Sequence, residues 1–326
     1  MFWSSTGFDP NRDLVDLRNR VAIVTGGNRG IGYATIQHLA RAGARVYMAA
    51  RDEKKAKTAI ETLQRQGLSP GNGEIHWLKL DLSDPRATKA AAEEFISKEK
   101  RLDVLVNNAA VVSSSFEKTR DGPSNIVTVN YLSPFVFTET LLPLLISTAR
   151  ESESDVRVVN LTSSAHSHTP MPVKFEKVDD LCMEYSGKFM SGFFRYAHTK
   201  LLDILWTKHL QKRLDSLDIP APIIAVAIHP GVVDTVTPSW PLPWLWGFLS
   251  RLLLGSNNPE RGSYNSVFAA ASKAILSERH KYKGAYLESH PIGYVTSPIA
   301  LAEDEVVAQN LFTLTQSVLH TIELVS

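Results

Sequence analysis

The stretch that decides the fold is Val21-Ala22-Ile23-Val24-Thr25-Gly26-Gly27-Asn28-Arg29-Gly30-Ile31-Gly32. A run of apolar, β-branched residues with no alternation reads as a strand buried on both faces. The glycines follow at once, and helical spacing begins at Ile31, Thr35, Leu39 and Ala42. Strand, glycine turn and helix in this order form a phosphate cradle. Gly26 supplies the backbone angles of the turn, Gly30 lets the backbone approach a phosphate, and Gly32 lets the helix pack on the strand. The helix N-terminus then offers free N–H groups and partial positive charge to a pyrophosphate. Gly26, Asn28, Arg29, Gly30 and Ile31 are therefore candidate cofactor contacts.

Outward from this stretch, short apolar runs alternate with longer helical ones. Strands are predicted at Arg45 to Ala49, Ile75 to Leu80, Leu102 to Val106, Val156 to Leu161 and Pro222 to Ile228. Helices are predicted at about Asp52 to Gln66, Pro85 to Lys98, Pro123 to Ala149 and Arg195 to Leu217. Such alternation needs parallel strands, right-handed crossovers and helices on both faces. The expected fold is α/β, a doubly wound and mostly parallel sheet of the Rossmann type. The C-terminal ends of its strands meet at one rim, where ligands bind. Two stretches break the rhythm, 166–194 and 236–254. Neither is a domain boundary, because the same unit resumes after each, and 1–326 reads as one domain.

The second strand ends Met48-Ala49-Ala50-Arg51. An acid at this place would hold a ribose 2′-hydroxyl. Arg51 stands there instead, with Arg29 in the turn, and two guanidiniums suit a 2′-phosphate. The plainer reading, Arg51 at a solvated helix start, sets a cation at the positive end of a helix dipole. NADP(H) is the cofactor this pattern selects. Asp81-Leu82 follows the third strand. Asp81 either accepts from an adenine amino group or caps the helix ahead of Pro85. After the fourth strand, Asn107 reads as a structural hydrogen-bonder, while Asn108 and Ala109 line the cofactor.

Three further pieces complete a constellation: Asn130, Ser163 and Tyr196-Ala197-His198-Thr199-Lys200. Tyr196 and Lys200 share one helix face. A tyrosine ionises near pH 10, about three units too high for acid–base work at neutrality, and an adjacent ammonium favours the phenolate. Lys200 also suits the nicotinamide ribose. Ser163 can donate to a substrate oxygen, and Asn130 can hold a water linking Lys200 to solvent. The pair alone is weak, because such spacings arise by chance. All pieces in this order point to hydride transfer with Tyr196 as general acid or base. His166, His168 and His198 read as surface or supporting residues.

With these residues in view, the chain from Asp16 onward resembles the short-chain dehydrogenase/reductase family in its short-subunit form. Matching segments are the Thr25–Gly32 turn, Asn107-Asn108-Ala109, Val129-Asn130, Val159-Asn160-Leu161-Thr162-Ser163, Tyr196–Lys200 and Pro230-Gly231-Val232-Val233-Asp234-Thr235. Ala50-Arg51-Asp52, Ser164-Ala165-His166 and the Tyr196–Lys200 version are nearest the retinol-dehydrogenase-like and WW-domain-oxidoreductase-like branch. The resemblance implies NADP(H), apolar aldehydes, ketones or alcohols as substrates, and cofactor contacts at Pro230, Gly231, Val233 and Thr235, with Thr235 on the carboxamide. The chain departs from the branch in lacking a membrane-anchoring N-terminus, which puts retinoid substrates in doubt. Thr162 stands where Ser is frequent, and Ser163 is the better match to the catalytic position.

The stretch 236–254 holds Trp240, Trp244, Trp246 and Phe248 among leucines. It reads first as an apolar lid, then as core packing, then as a weak membrane-surface contact. The insert 166–194 separates Ser163 from Tyr196. By resemblance to carbonyl reductases with a similar insert, it obstructs the interface used for tetramers, so a monomer or homodimer is expected.

Composition bounds the rest. The 326 residues carry a formal net charge of +1, 44% hydrophobic and 21% charged residues, which gives no nucleic-acid footprint. Cys182 is the single cysteine, so no intrachain disulfide can form. No Cys/His spacing suits a metal. The first twenty residues, with Asp9, Arg12, Asp13, Asp16 and Arg18, resemble neither a signal peptide nor an anchor. A cytoplasmic protein is expected, with peripheral contact to an internal membrane as the variant. The competing function is a non-catalytic NADP(H) sensor or scaffold on the same fold, which usually lacks the Tyr or the Lys.

Overall fold

In the computed structural model, residues 7–112, 115–170, 173–231 and 259–324 are described. The stretch 236–254, together with Val233 and Thr235, lies outside them. Eight strands form one sheet: β1 (Val21–Thr25), β2 (Arg45–Ala50), β3 (Ile75–Lys79), β4 (Val104–Asn107), β5 (Arg157–Leu161), β6 (Ile224–Ile228), β7 (Tyr286–Ser289) and β8 (Ile292–Thr296). Their order is β3-β2-β1-β4-β5-β6-β7-β8. Every neighbouring pair is parallel except β7 and β8, which pair antiparallel. The sequence reading of a doubly wound, mostly parallel sheet therefore holds, and it lacked only β7 and β8.

β1, β5 and β6 are buried at every residue, because helices cover both faces. On one face Ala49, Leu105, Val158 and Ala225 pack with Phe95, Phe135 and Leu205. On the other, Met48, Val106, Val159 and Val226 pack with Ile36, Leu39 and Phe268. Neighbouring strand residues thus point to opposite cores, as the period of two requires. Burial of this kind contributes about 25 cal/mol per Å² of apolar surface.

The helices start where local chemistry sets them. Asp52 accepts from Lys55 N at 3.0 Å and caps Glu53–Gln66. Asp84 accepts from Arg86 N at 2.9 Å and caps Pro85–Lys98, with proline at its first turn. Caps of this type contribute about 1 kcal/mol each. Asp84, not Asp81, is thus the cap ahead of Pro85; Asp81 accepts instead from Ser83 N and Oγ at 3.0 and 2.7 Å.

The helical stretch Asn125–Ala149 contains a π turn at Thr128–Leu132. By length and composition it could cross a membrane, but 67% of its apolar window is buried. Leu132, Phe135, Phe137, Leu141 and Leu145 are core residues. The irregular stretch before the Tyr196 helix holds a 3₁₀ turn at Ser164–His168 and a short helix at Val178–Leu181. The long helix then runs Ser191–Asp215, starting four residues before the predicted Arg195.

Candidate active site

The order of strands reverses between β1 and β4, which opens a crevice at their C-terminal ends. The glycine turn after β1 lies on one side of it and Asn108-Ala109 after β4 on the other. Thr25 ties the two together. Its Oγ1 accepts from Asn108 N at 3.0 Å and Ala109 N at 2.9 Å, and its carbonyl accepts from Asn108 Nδ2 at 2.7 Å. The Asn108 amide therefore braces the turn from beneath, a role the sequence reading had not given it.

Within the turn each glycine meets a separate demand. Gly26 has φ +66 and Gly30 φ +58, in the left-handed region. A Cβ at Gly30 would meet nothing within 4 Å, so the backbone there faces open space. A Cβ at Gly32 would lie 2.5 Å from Asn108 Nδ2 and 2.8 Å from Gly26 O. The sequence reading passed over Gly27, where a Cβ would lie 2.3 Å from Ile36 Cδ1. The helix Gly30–Arg41 begins without a side-chain cap and without an acid in its first turn. Its N-terminal N–H groups are thus left for an anion, which fits a dinucleotide pyrophosphate.

Arg29 and Arg51 are exposed. Since Asp52 already caps the following helix, Arg51 is not needed there. Asp81 is partly buried at the rim, and Leu82 puts its side chain into the core. Pro230 and Gly231 follow β6. Gly231 has φ +87, and a Cβ there would lie 2.9 Å from Ser289 Oγ.

Tyr196 and Lys200 rise from the same face of the Ser191–Asp215 helix. Tyr196 is partly buried, and the Lys200 ammonium lies 5.6 Å from its ring centroid. Lys200 itself is 2% exposed. Its Nζ donates to Leu161 O at 2.8 Å and to Asp203 Oδ2 at 2.9 Å. Burial opposes the ammonium, yet Asp203 and Tyr196 together hold its pKa above the ordinary lysine value. Burial pushes the Asp203 carboxyl up to about 6, against the pull of Lys200. We read the pair as ionised, because Lys200 Nζ donates to Asp203 Oδ2 at 2.9 Å and each charge compensates the other in a buried place. Asp203 was absent from the sequence reading. Its signal was an acid inside the apolar run Leu201-Leu202-Asp203-Ile204-Leu205.

Ser163 follows β5. Its Oγ accepts from Ala165 N at 3.2 Å and caps the Ser164–His168 turn, which leaves the hydroxyl hydrogen to donate elsewhere. Thr162 is buried and donates to the Lys200 carbonyl at 2.7 Å. It therefore stitches β5 to the helix, which leaves Ser163 as the hydroxyl at the rim. His166 Nδ1 donates to Ser163 O at 2.7 Å. His198 is buried against Tyr185.

Asn130 sits in the π turn. Its Oδ1 accepts from Val111 N at 2.8 Å, and its Nδ2 donates to Val111 O at 2.9 Å and Thr199 Oγ1 at 3.1 Å. The side chain is thus taken up by protein partners rather than by a water. Pro134 has no N–H, so the Asn130 carbonyl lacks its usual helical donor four residues on. Asn107 follows the sequence expectation: its Nδ2 donates to Thr138 Oγ1 and Asn160 Oδ1 at 3.0 and 2.8 Å. Asn107, Asn130, Lys200, Asp203 and Trp206 line one narrow cleft behind the rim. Among the described residues, no group of three or more His, Cys, Asp or Glu is placed to hold a metal.

This geometry agrees with what comparison with known proteins finds. The family model for short chain dehydrogenase matches residues 20–174. A short-chain dehydrogenase/reductase of Armillaria gallica is 39% identical over 97% of this chain and 98% of its own. Human retinol dehydrogenase 11 is 33% identical over 91% of this chain and 85% of its own. Among solved structures, an uncharacterized protein from Mycobacterium paratuberculosis superposes with TM-score 0.70 and 26% identity, over 96% of this chain and 97% of its own. With the glycine turn, Ser163, Tyr196 and Lys200 set on one rim of a doubly wound sheet, the chain belongs to the short-chain dehydrogenase/reductase family and is an oxidoreductase.

Proposed function

We propose that the protein is an NADP(H)-dependent oxidoreductase that interconverts apolar aldehydes or ketones and their alcohols. The observation that carries this reading is the buried Lys200 ammonium, 5.6 Å from the ring of a partly exposed Tyr196. A fixed cation beside a phenol favours the charge left on its oxygen when the proton is transferred. The glycine turn and the uncapped helix at Gly30 would hold the pyrophosphate, with Arg29 and Arg51 on a 2′-phosphate. The family's cofactor, when bound, supplies or accepts the hydride at its nicotinamide ring.

The chain's own residues handle the proton. In reduction Tyr196 Oη gives its proton to the substrate oxygen, and in oxidation it takes that proton back. Ser163 Oγ donates a hydrogen bond to the same oxygen and holds it toward Tyr196. Lys200 stabilises the phenolate left on Tyr196. Asn130 fixes the Val111 backbone beside the Tyr196 helix, and its carbonyl is the acceptor for a water that refills the proton. By the family resemblance, Val233 and Thr235, which lie outside the described residues, would complete the cofactor contacts.

An apolar substrate is supported by the approach to the Tyr196 helix. Phe189 is 91% exposed, and Phe193 and Phe194 stack edge to face one turn before Tyr196. The stretch 236–254 would act as the lid. A relative named a retinol dehydrogenase points the same way. The protein would work in the cytoplasm as a monomer or homodimer, with any membrane contact at the surface.

The test is turnover of NADPH and NADH by the purified chain with short and long aldehydes and ketones, followed by cofactor absorbance. We expect NADPH to be preferred and longer apolar substrates to be used better. Cofactor binding without turnover of any substrate would favour the sensor reading instead.

A further inference from the structure

One face of the Ser191–Asp215 helix carries Tyr196, Lys200, Asp203 and Thr207, spaced four, three and four residues apart, so they align along the axis. The line runs from the rim into the interior. Lys200 Nζ donates to Asp203 Oδ2 at 2.9 Å, with side-chain exposures of 3% and 5%. Thr207 Oγ1 donates to Asp203 O at 2.6 Å and accepts from Asn160 Nδ2 at 2.9 Å. Asn160 in turn accepts from Asn107 on β4 at 2.8 Å. These bonds fix the helix backbone at Asp203 against β5 and β4, while the carboxylate itself is held at the base of the lysine by the Lys200 Nζ bond.

A buried ammonium without an anion loses its proton or rearranges, because removal from water penalises the charged form. Lys200 has two acceptors among the described residues, the neutral Leu161 carbonyl and Asp203. Only Asp203 carries a compensating charge. The groups facing the pair are few: Tyr196 above Lys200, and the buried Tyr131, which feels the Asp203 charge. None of these supplies a second permanent anion.

We propose that Asp203 is a positioning residue that keeps Lys200 charged and fixed beneath Tyr196. The inference rests on the function proposed above, and it concerns a residue that touches neither substrate nor cofactor. Its effect reaches the reaction through Lys200: a neutral amine at that place no longer stabilises the phenolate. The pair also restrains Lys200, since two of its three N–H donors are directed inward and one remains for the site.

The test uses three full-length chains: wild type, Asp203→Asn, which keeps size and an acceptor but not the charge, and Asp203→Glu, which keeps the charge. The ε-methylene of Lys200 is titrated by carbon NMR, assigned with a Lys200→Arg control. We expect the Lys200 midpoint to fall by about three units or more, toward neutrality, in Asp203→Asn and to be largely restored in Asp203→Glu. We also expect the acid limb of kcat/KM for alcohol oxidation to move to higher pH in Asp203→Asn, with turnover down about tenfold at neutrality and partly recovered in alkali. An unchanged Lys200 midpoint in Asp203→Asn overturns the proposal whatever the rates. So does a loss of rate that is equal at every pH and follows a lowered melting temperature, which is the mark of a structural role alone. If wild type turns over no substrate, the functional reading fails, and the NMR titration still decides the Asp203 proposal.

Discussion

Asn130 holds both polar groups of the Val111 backbone, accepting from its N–H at 2.8 Å and donating to its carbonyl at 2.9 Å, while a third bond reaches Thr199. One side chain thereby joins the loop after β4 to the Tyr196 helix across the π turn. Removing it leaves partners without mates at a position 2% exposed. Asn130→Ala should cost about 2 kcal/mol or more in urea unfolding. Turnover should fall as well, because the loop between β4 and the Tyr196 helix loses its brace. A variant as stable as wild type would show that water replaces all three bonds.

Tyr196→Phe removes only the hydroxyl and leaves the ring over Lys200. Turnover should drop by about two orders of magnitude or more. Cofactor binding, followed by fluorescence quenching or calorimetry, should change little. A rate above about a tenth of wild type would rule Tyr196 out as the proton donor.

Arg51→Asp exchanges the cation facing the proposed 2′-phosphate for an acid suited to a ribose hydroxyl. NADPH affinity should weaken by about 2 kcal/mol or more, while NADH use holds or improves. Michaelis constants for both cofactors check this. An unchanged preference would leave the discrimination to Arg29.

Gly32→Ala places a methyl 2.5 Å from Asn108 Nδ2 and 2.8 Å from the Gly26 carbonyl. The second atom is backbone and cannot swing aside, so the turn itself must shift. Both cofactors should bind at least about tenfold more weakly, in contrast to the selective effect at Arg51. Gly30→Ala has room for its methyl but meets a φ of +58. It should cost about 1 kcal/mol in stability through the backbone.

Acid should destabilise the protein through His198. Burial pushes its imidazole down to about 4, while an unfolded histidine titrates near 6.5, a gap of about two units or more. The folded state therefore refuses a proton that the unfolded chain takes up across that window. Stability is complete above it and falls as pH drops from about 6.5 toward 4. His198→Gln should flatten this slope in melting curves taken at successive pH values. A slope equal to that of wild type would assign the acid sensitivity to other groups, such as His209, which is also held at about 4 by burial.

Much of the fold was legible because the signals were local. Val21–Thr25 is apolar throughout since both its faces are covered, and Pro85–Lys98 matches the predicted helix at both ends because Asp84-Pro85 begins it. β7 and β8 were not legible. β7 has four residues and meets β6 at Ala227↔Tyr286 and Ile228↔Leu287, and β8 is antiparallel, so neither shows the strand–helix rhythm. Their pairing is decided by a neighbour distant in sequence.

The site divides in the same way. Sequence alone determined the chemical inventory: a glycine turn after a strand, a tyrosine and a lysine one helical turn apart, and an arginine where an acid would suit NAD. These follow from short-range spacing, which a helix or a turn converts directly into geometry. The tertiary structure decided which polar groups face one another. It turned the Asn108 amide onto Thr25, engaged the Asn130 side chain with Val111, and set Asp203 beneath Lys200. Such pairings depend on which helix face meets which strand end, and burial then compels each polar group to find a partner that no spacing in the chain announces.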